Sequence, residues 1–146
     1  VKLGTTGRLD NLQAGILLEK FKGFDDDMKH RRSAAKYYND NLKDIVKVPQ
    51  VAEYTESVHA QYVIQVEDNR DEVRTKLNEL GIPTALYYPH PIHLAPVLVK
   101  KLGYKEGDMP VSEYASKHNL ALPIDNDILK EEQDMVIEAL KKVINK

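Results

Sequence analysis

The 146 residues include 21 basic and 23 acidic side chains for a net charge of -2, with 42% hydrophobic and 30% charged residues. That is the balance of a soluble globular domain long enough to bury a core, and it offers no electrostatic footprint for nucleic acid or an anionic membrane. There is no cysteine, which removes disulfides, thiolate metal sites and cysteine nucleophiles and fits a reducing, cytoplasmic setting. No apolar run approaches the ~20 residues of a membrane-spanning helix. The chain opens Val1-Lys2-Leu3-Gly4 with neither a methionine nor a signal sequence. Either a small protein has been cleaved or the sequence starts inside a longer one, and a Gly-Thr-Thr-Gly loop just ahead of a helix favours the second.

In chain order, Leu9, Leu12, Ile16, Leu17 and Phe21 fall at helical spacing and predict a helix over 8–22 with one buried stripe. Gly23 interrupts it. A second helix is expected over 25–42, with Asp25, Asp26 and Asp27 at its positive end and Met28, Ala34, Ala35, Tyr38 and Leu42 inward. The run Lys29-His30-Arg31-Arg32 is short and sits among acids, so it reads as a solvated helix face rather than a nucleic-acid patch. Residues 46–51, with Pro49, read as a short edge strand, and the alternation of Val58, Ala60, Tyr62, Ile64 and Val66 as the best strand. Asp68 can cap the next helix, whose stripe is Val73, Leu77 and Leu80 and whose stop is Gly81. A strand over 83–87 follows. Three prolines within Tyr88-Pro89-His90-Pro91-Ile92-His93-Leu94-Ala95-Pro96 rule out a regular helix or a central strand there. Short helices are expected over 97–102 and, capped by Ser112, over 113–119, then a strand over 120–122. A last helix over 130–144 turns Met135, Val136, Ala139, Leu140 and Val143 inward. The sum is one α/β (α+β) domain, a small sheet packed with helices and preceded by a long helical arm.

His90 and His93, with Tyr87 and Tyr88 beside them, are the first metal candidate. Zinc needs three or four converging ligands and this segment holds no acid and no third histidine, so an ordinary structured loop is favoured. None of the serines sits in a nucleophile elbow, and Gly4-Thr5-Thr6-Gly7-Arg8 is neither a P-loop nor a dinucleotide fingerprint. That turn does lead into a helix amino terminus with an arginine, a combination that suits phosphate or carboxylate but is also common as plain structure. The proline-rich loop is equally two-sided: its aromatic and imidazole groups either bind sugar hydroxyls or simply pack.

Four ordered segments resemble the carboxy-terminal part of the DegT/DnrJ/EryC1/StrS family of pyridoxal-phosphate-dependent sugar aminotransferases. They are Gly4-Thr5-Thr6-Gly7-Arg8-Leu9-Asp10-Asn11-Leu12-Gln13-Ala14-Gly15-Ile16-Leu17; Arg31-Arg32 with Ala35, Tyr37 and Leu42; Asn69-Arg70-Asp71 through Gly81-Ile82-Pro83-Thr84 to Tyr88-Pro89-His90-Pro91-Ile92-His93-Leu94; and Gly107-Asp108-Met109-Pro110-Val111-Ser112-Glu113 with Leu122-Pro123-Ile124 and the last helix. The resemblance covers essentially the whole chain. It implies the small domain of a fold-type I transferase over 1–146, with 1–42 the helical connection from a large domain. It further implies a homodimer with shared active sites and amino transfer from glutamate to a nucleotide-linked keto-sugar.

In that family the Schiff-base lysine lies in the large domain, so no catalytic residue is expected here and the isolated chain should be inactive. By position, Thr6 and Arg8 would lie near the cofactor phosphate, Thr6 standing where the family has asparagine. Arg8, Tyr87, Tyr88 and His93 would face the substrate, with Tyr87 where some members acting on uronic-acid sugars have histidine. Gly15 replaces a common alanine, at a small helix cost. A free-standing α/β dimerisation or ligand-binding module is the alternative.

Overall fold

The computed structural model describes residues 7–144. Asp10 opens helix α1 (Asn11–Phe21) by accepting the Gln13 N–H on its carboxylate at 2.8 Å, satisfying one of the free donors of a helix start. After Lys22 and Gly23 the chain continues as α2 (Phe24–Leu42), whose first turn carries Asp25, Asp26 and Asp27, and the Phe21 and Phe24 rings stack across the junction at 5.5 Å. The helical pattern of α1 is therefore real, but its expected burial is not. Among the described residues none of α1 is buried, and Leu12 is 76% exposed.

Strand β1 (Tyr62–Gln65) pairs antiparallel with β2 (Asn119–Leu122), Tyr62 opposite Leu122 and Gln65 opposite Asn119. Two further segments touch this ribbon through single bridges, Lys47 to Gln65 on one side and Ala85 to Ala121 on the other. The spatial order is thus the 47 segment, β1, β2, the 85 segment. Helix α3 (Arg70–Glu79) joins β1 to the 85 segment, which leaves β2 inserted between the two ends of a βαβ-like unit. The strands expected over 46–51 and 83–87 shrink to these bridges because Pro49 lacks an N–H and Tyr87 leads straight into the proline-rich loop. The strand expected from Val58 begins only at Tyr62. His59 takes φ +46°, and Arg31 and Arg32 donate to the carbonyls of His59 and Ser57 at 3.4 and 3.3 Å, fixing a non-extended loop. Arg32 also pairs with Glu56 at 2.8 Å. The basic run expected to be a solvated face is therefore partly a loop anchor.

Helix α6 (Lys130–Ile144) packs against α2 and α3 to complete the core. Tyr38, Leu42, Tyr62, Ile64, Leu77, Leu120 and Leu140 are all fully buried in one cluster. The Tyr38 and Tyr62 rings meet at 4.9 Å, and each hydroxyl is satisfied: Tyr38 donates to the Pro123 carbonyl at 3.0 Å and Tyr62 to Asn39 Oδ1 at 2.7 Å. Besides the α1 stripe, Met135 and Leu80 were expected in the core and lie outside it. Met135 is 62% exposed, its place on the inner face of α6 taken by Gln133, which donates to the Ala34 carbonyl at 2.9 Å, and by Ile137. Leu80 is also exposed, because α3 ends before it in a left-handed turn at Gly81 (φ +80°) closed by Ile82 N–H to Leu77 O at 2.9 Å.

Two expected caps also differ. Asn69, in a left-handed conformation and without a capping side-chain bond, precedes α3 in place of Asp68. Helix α5 (Pro110–His118) begins at its proline, two residues before Ser112, with Pro110 pre-set for the first helical turn. Helix α4 (Pro96–Leu102) follows the proline-rich loop and ends in Gly103. Among the described residues no helix is long and apolar enough to cross a membrane.

Candidate functional site

The proline-rich loop leaves the sheet at Ala85, whose N–H and carbonyl both bond to Ala121 (3.2 and 2.8 Å). The next residues carry the aromatic pair. Tyr87 is 38% exposed and Tyr88 73%, their rings edge to face at 5.9 Å across a cis peptide. Both line a cleft of about 750 Å³, with His90 and Ile92 on the loop side and Ser112 and Asn119 of the α5 region opposite. Ring faces and hydroxyls of the tyrosines and the short polar groups of Ser112 and Asn119 thus share a largely apolar lining with Pro91, Ile92 and Ala95.

His93 does not share this exposure. It sits in the 3₁₀ turn Ile92–Leu94, 5% exposed, with its Nε2 3.0 Å from Glu113 Oε1 and Tyr104 edge-on at 6.0 Å. Glu113 is itself only 8% exposed, and its carboxylate also accepts the N–H groups of Gly107 (2.9 and 3.0 Å) and Met109 (3.2 Å). Burial by itself raises the Glu113 carboxyl, but the Met109 and Gly107 N–H groups and His93 outweigh it and hold the group below its ordinary range.

Arg8 is exposed in the segment leading to α1, two residues before the capping Asp10. Thr6 lies outside the described residues. The sequence-predicted residues thus separate into an aromatic wall (Tyr87, Tyr88), a buried loop anchor (His93) and an exposed guanidinium (Arg8).

Two residues went unassigned by sequence reasoning. Glu113 looked like an ordinary acid in the first turn of a helix, and only its place at the end of the Gly107–Glu113 segment that resembles the family hinted at more. Arg70, 8% exposed, donates from Nη1 to the carbonyls of Ser116 (3.2 Å) and Asn119 (2.8 Å), tying the start of α3 to the end of α5. That tie accounts for the Asn69-Arg70-Asp71 segment in structural terms. Among the described residues no lysine is buried. No group of three or more metal-ligating side chains converges among them either.

The chain belongs to the DegT/DnrJ/EryC1/StrS aminotransferase family, whose sequence model matches residues 1–141. It is 40% identical over 142 residues to a pleiotropic regulatory protein of Geobacillus stearothermophilus, covering 94% of this chain and 38% of that protein. It is 33% identical over 125 residues to the UDP-2-acetamido-2-deoxy-3-oxo-D-glucuronate aminotransferase of Pseudomonas aeruginosa, covering 85% of this chain and 33% of that one. Its fold matches S. venezuelae DesV, solved in complex with a ketimine intermediate, at a TM-score of 0.92 and 29% identity, over 99% of this chain and 39% of that one. The chain therefore spans well under half the length of the relatives it matches. The fold class is that of the corresponding portion of these aminotransferases, with the sheet and helices expected.

Proposed function

We propose that the chain is the carboxy-terminal portion of a cytoplasmic, homodimeric, pyridoxal-phosphate-dependent aminotransferase that moves an amino group from glutamate to a nucleotide-linked keto-sugar. On this reading residues 1–42 connect it to a large domain. The exposed, proline-braced Tyr87–Tyr88 wall carries the proposal, together with the family and with a relative named for a UDP-linked keto-sugar. The apolar face of α1, uncovered in the described residues, supports it too, since a face of that kind calls for a packing partner such as a large domain or a second subunit.

On this reading pyridoxal phosphate meets this portion only at its edge, and the Schiff-base lysine belongs to the large domain. Arg8 is exposed and suited to a phosphate, and Thr6, outside the described residues, is two positions from it in sequence. Bound pyridoxal phosphate would supply the electron sink for amino transfer. Tyr87 and Tyr88 would orient the sugar by stacking and by their hydroxyls, and the prolines lower the entropy lost in holding those rings. Arg8 would take a diphosphate or the cofactor phosphate with its fork of donors.

An absorbance titration of the complete gene product with pyridoxal phosphate tests the reading. A Schiff-base band discharged by glutamate supports it, and a band indifferent to every amine donor sinks it. In the same protein Arg8→Ala should raise KM for the nucleotide sugar about tenfold, as for a lost charged hydrogen bond, with little change in Tm. A large fall in Tm at unchanged KM would assign Arg8 to the fold instead. A non-enzymatic role is the second reading, favoured by the regulatory name of the 40% identical relative. The same titration separates the two.

A further inference from the structure

Glu113 joins three pieces of chain: α5 in which it sits, the 104–109 loop through the N–H groups of Gly107 and Met109, and the proline-rich loop through His93. Gly107 takes φ +94°, a left-handed conformation that glycine adopts without strain. Because the Glu113 oxygens already accept backbone N–H groups and the carboxyl is held ionised, the shared proton at 3.0 Å belongs to His93 Nε2. The other fixed point of the loop is the Ala85–Ala121 bridge. Among the described residues, nothing from Leu86 to His90 makes a hydrogen bond, and Pro91 and Ile92 accept only from Leu94 and Ala95 of the adjoining turn (both 3.0 Å). The aromatic pair therefore lies in a span fixed on one side by that bridge and by Leu86 packed against the core, and on the other by the buried His93–Glu113 bond.

We propose that Glu113 is a positioning residue: through His93 it fixes the stance of Tyr87 and Tyr88 toward the sugar without touching the substrate itself. The proposal rests on reading those tyrosines as substrate contacts, and it deepens that reading by moving His93 from the contact surface to the support beneath it. A span held by prolines transmits a loosened pin to its whole length, and a displacement of ~1 Å in a positioning element costs on the order of a hundredfold in rate.

The test uses the complete gene product and reads loop order separately from activity. In Glu113→Gln, one carboxylate oxygen becomes an amide donor facing backbone donors. Hydrogen exchange should then quicken roughly tenfold over 86–95 and 104–109 while α6 is unchanged. The KM for the keto-sugar should rise about tenfold, with the glutamate half-reaction within about twofold of wild type. His93→Gln keeps an N–H donor near the Nε2 position and should behave like wild type, whereas His93→Ala should reproduce Glu113→Gln. Unchanged exchange in Glu113→Gln would overturn the proposal. So would equal loss in both half-reactions, or a His93→Gln as damaged as His93→Ala, which would make the imidazole itself a contact. If Glu113→Gln does not fold, the two His93 variants decide the matter. A wild-type protein that transfers no amine would sink the aminotransferase reading, and exchange alone would then decide the role of Glu113.

Discussion

Helices α1 and α6 both carry apolar residues at helical spacing, more sharply one-sided in α6, and meet opposite fates. In α6, Val136, Ile137, Leu140 and Val143 are buried against α2 and α3; in α1, Leu12, Ile16, Leu17 and Phe21 all face outward. Periodicity reports that a helix has a face to bury. Which surface covers that face is decided elsewhere in the fold. The body from α2 to α6 supplies its own covering surface, whereas the arm's covering surface is not among the described residues.

Truncation at the two helices should break the comparison open. Leu140→Ala is expected to cost about 2–5 kcal/mol in urea denaturation of this chain, as for a fully buried leucine. Ile16→Ala in the arm should cost only a few tenths. If the complete protein loses a further ~1–3 kcal/mol from Ile16→Ala, the arm's face is covered there. Comparable losses for both variants within this chain would contradict the exposure of α1.

Next in size is Arg70→Ala, which leaves the Ser116 and Asn119 carbonyls without their charged donor. It should cost about 1.5–3 kcal/mol by the same measurement. A neutral result would mean that the end of α5 is held by other groups.

A smaller, pH-dependent effect belongs to Glu113. Its carboxyl lies lower in the folded chain than its ordinary value of 4.5. The unfolded chain therefore binds the proton more readily, so the stabilisation is fully present above pH 4.5 and is lost as pH falls through the lower folded value. Hydrogen exchange over 86–95 and 104–109 should quicken in that acid window before α6 responds. Glu113→Gln should abolish the difference between pH 6 and the acid window. Simultaneous loosening of α6 in wild type would point to global acid unfolding instead.

Smallest is Gly15→Ala. A Cβ at Gly15 meets nothing within 4 Å, so in this chain the change should raise stability by about 0.5–1 kcal/mol through helix propensity. A loss in the complete protein would locate a close neighbour on that side of α1.

Much of the fold was legible because its signals are local. The helices over α1, α2, α3 and α6 follow from side chains three and four residues apart, and Gly81 and Gly103 stop their helices through left-handed turns that glycine takes without strain. The extended segments were legible in place but not in length. Whether residues near Lys47 or Ala85 extend a ladder depends on partners, Gln65 and Ala121, that are distant in sequence, and on the proline or turn that cuts each segment short. At the candidate site, the aromatic wall could be found from Tyr87, Tyr88 and the surrounding prolines, since rigidity and residue type are written side by side.

The division of labour between His93 and Tyr88 could not be found that way. Both belong to one motif, yet one is buried on a carboxylate twenty residues on and the other faces solvent. By itself the sequence determined the helices, the family and the stiff loop, because backbone preference, periodicity and motif order act at short range. Only the tertiary structure decided that Met135 faces out while Gln133 faces in, that Arg70 ties α3 to α5, and that Glu113 holds the loop. Those are choices among packings of similar local cost, and contacts between distant residues settle them.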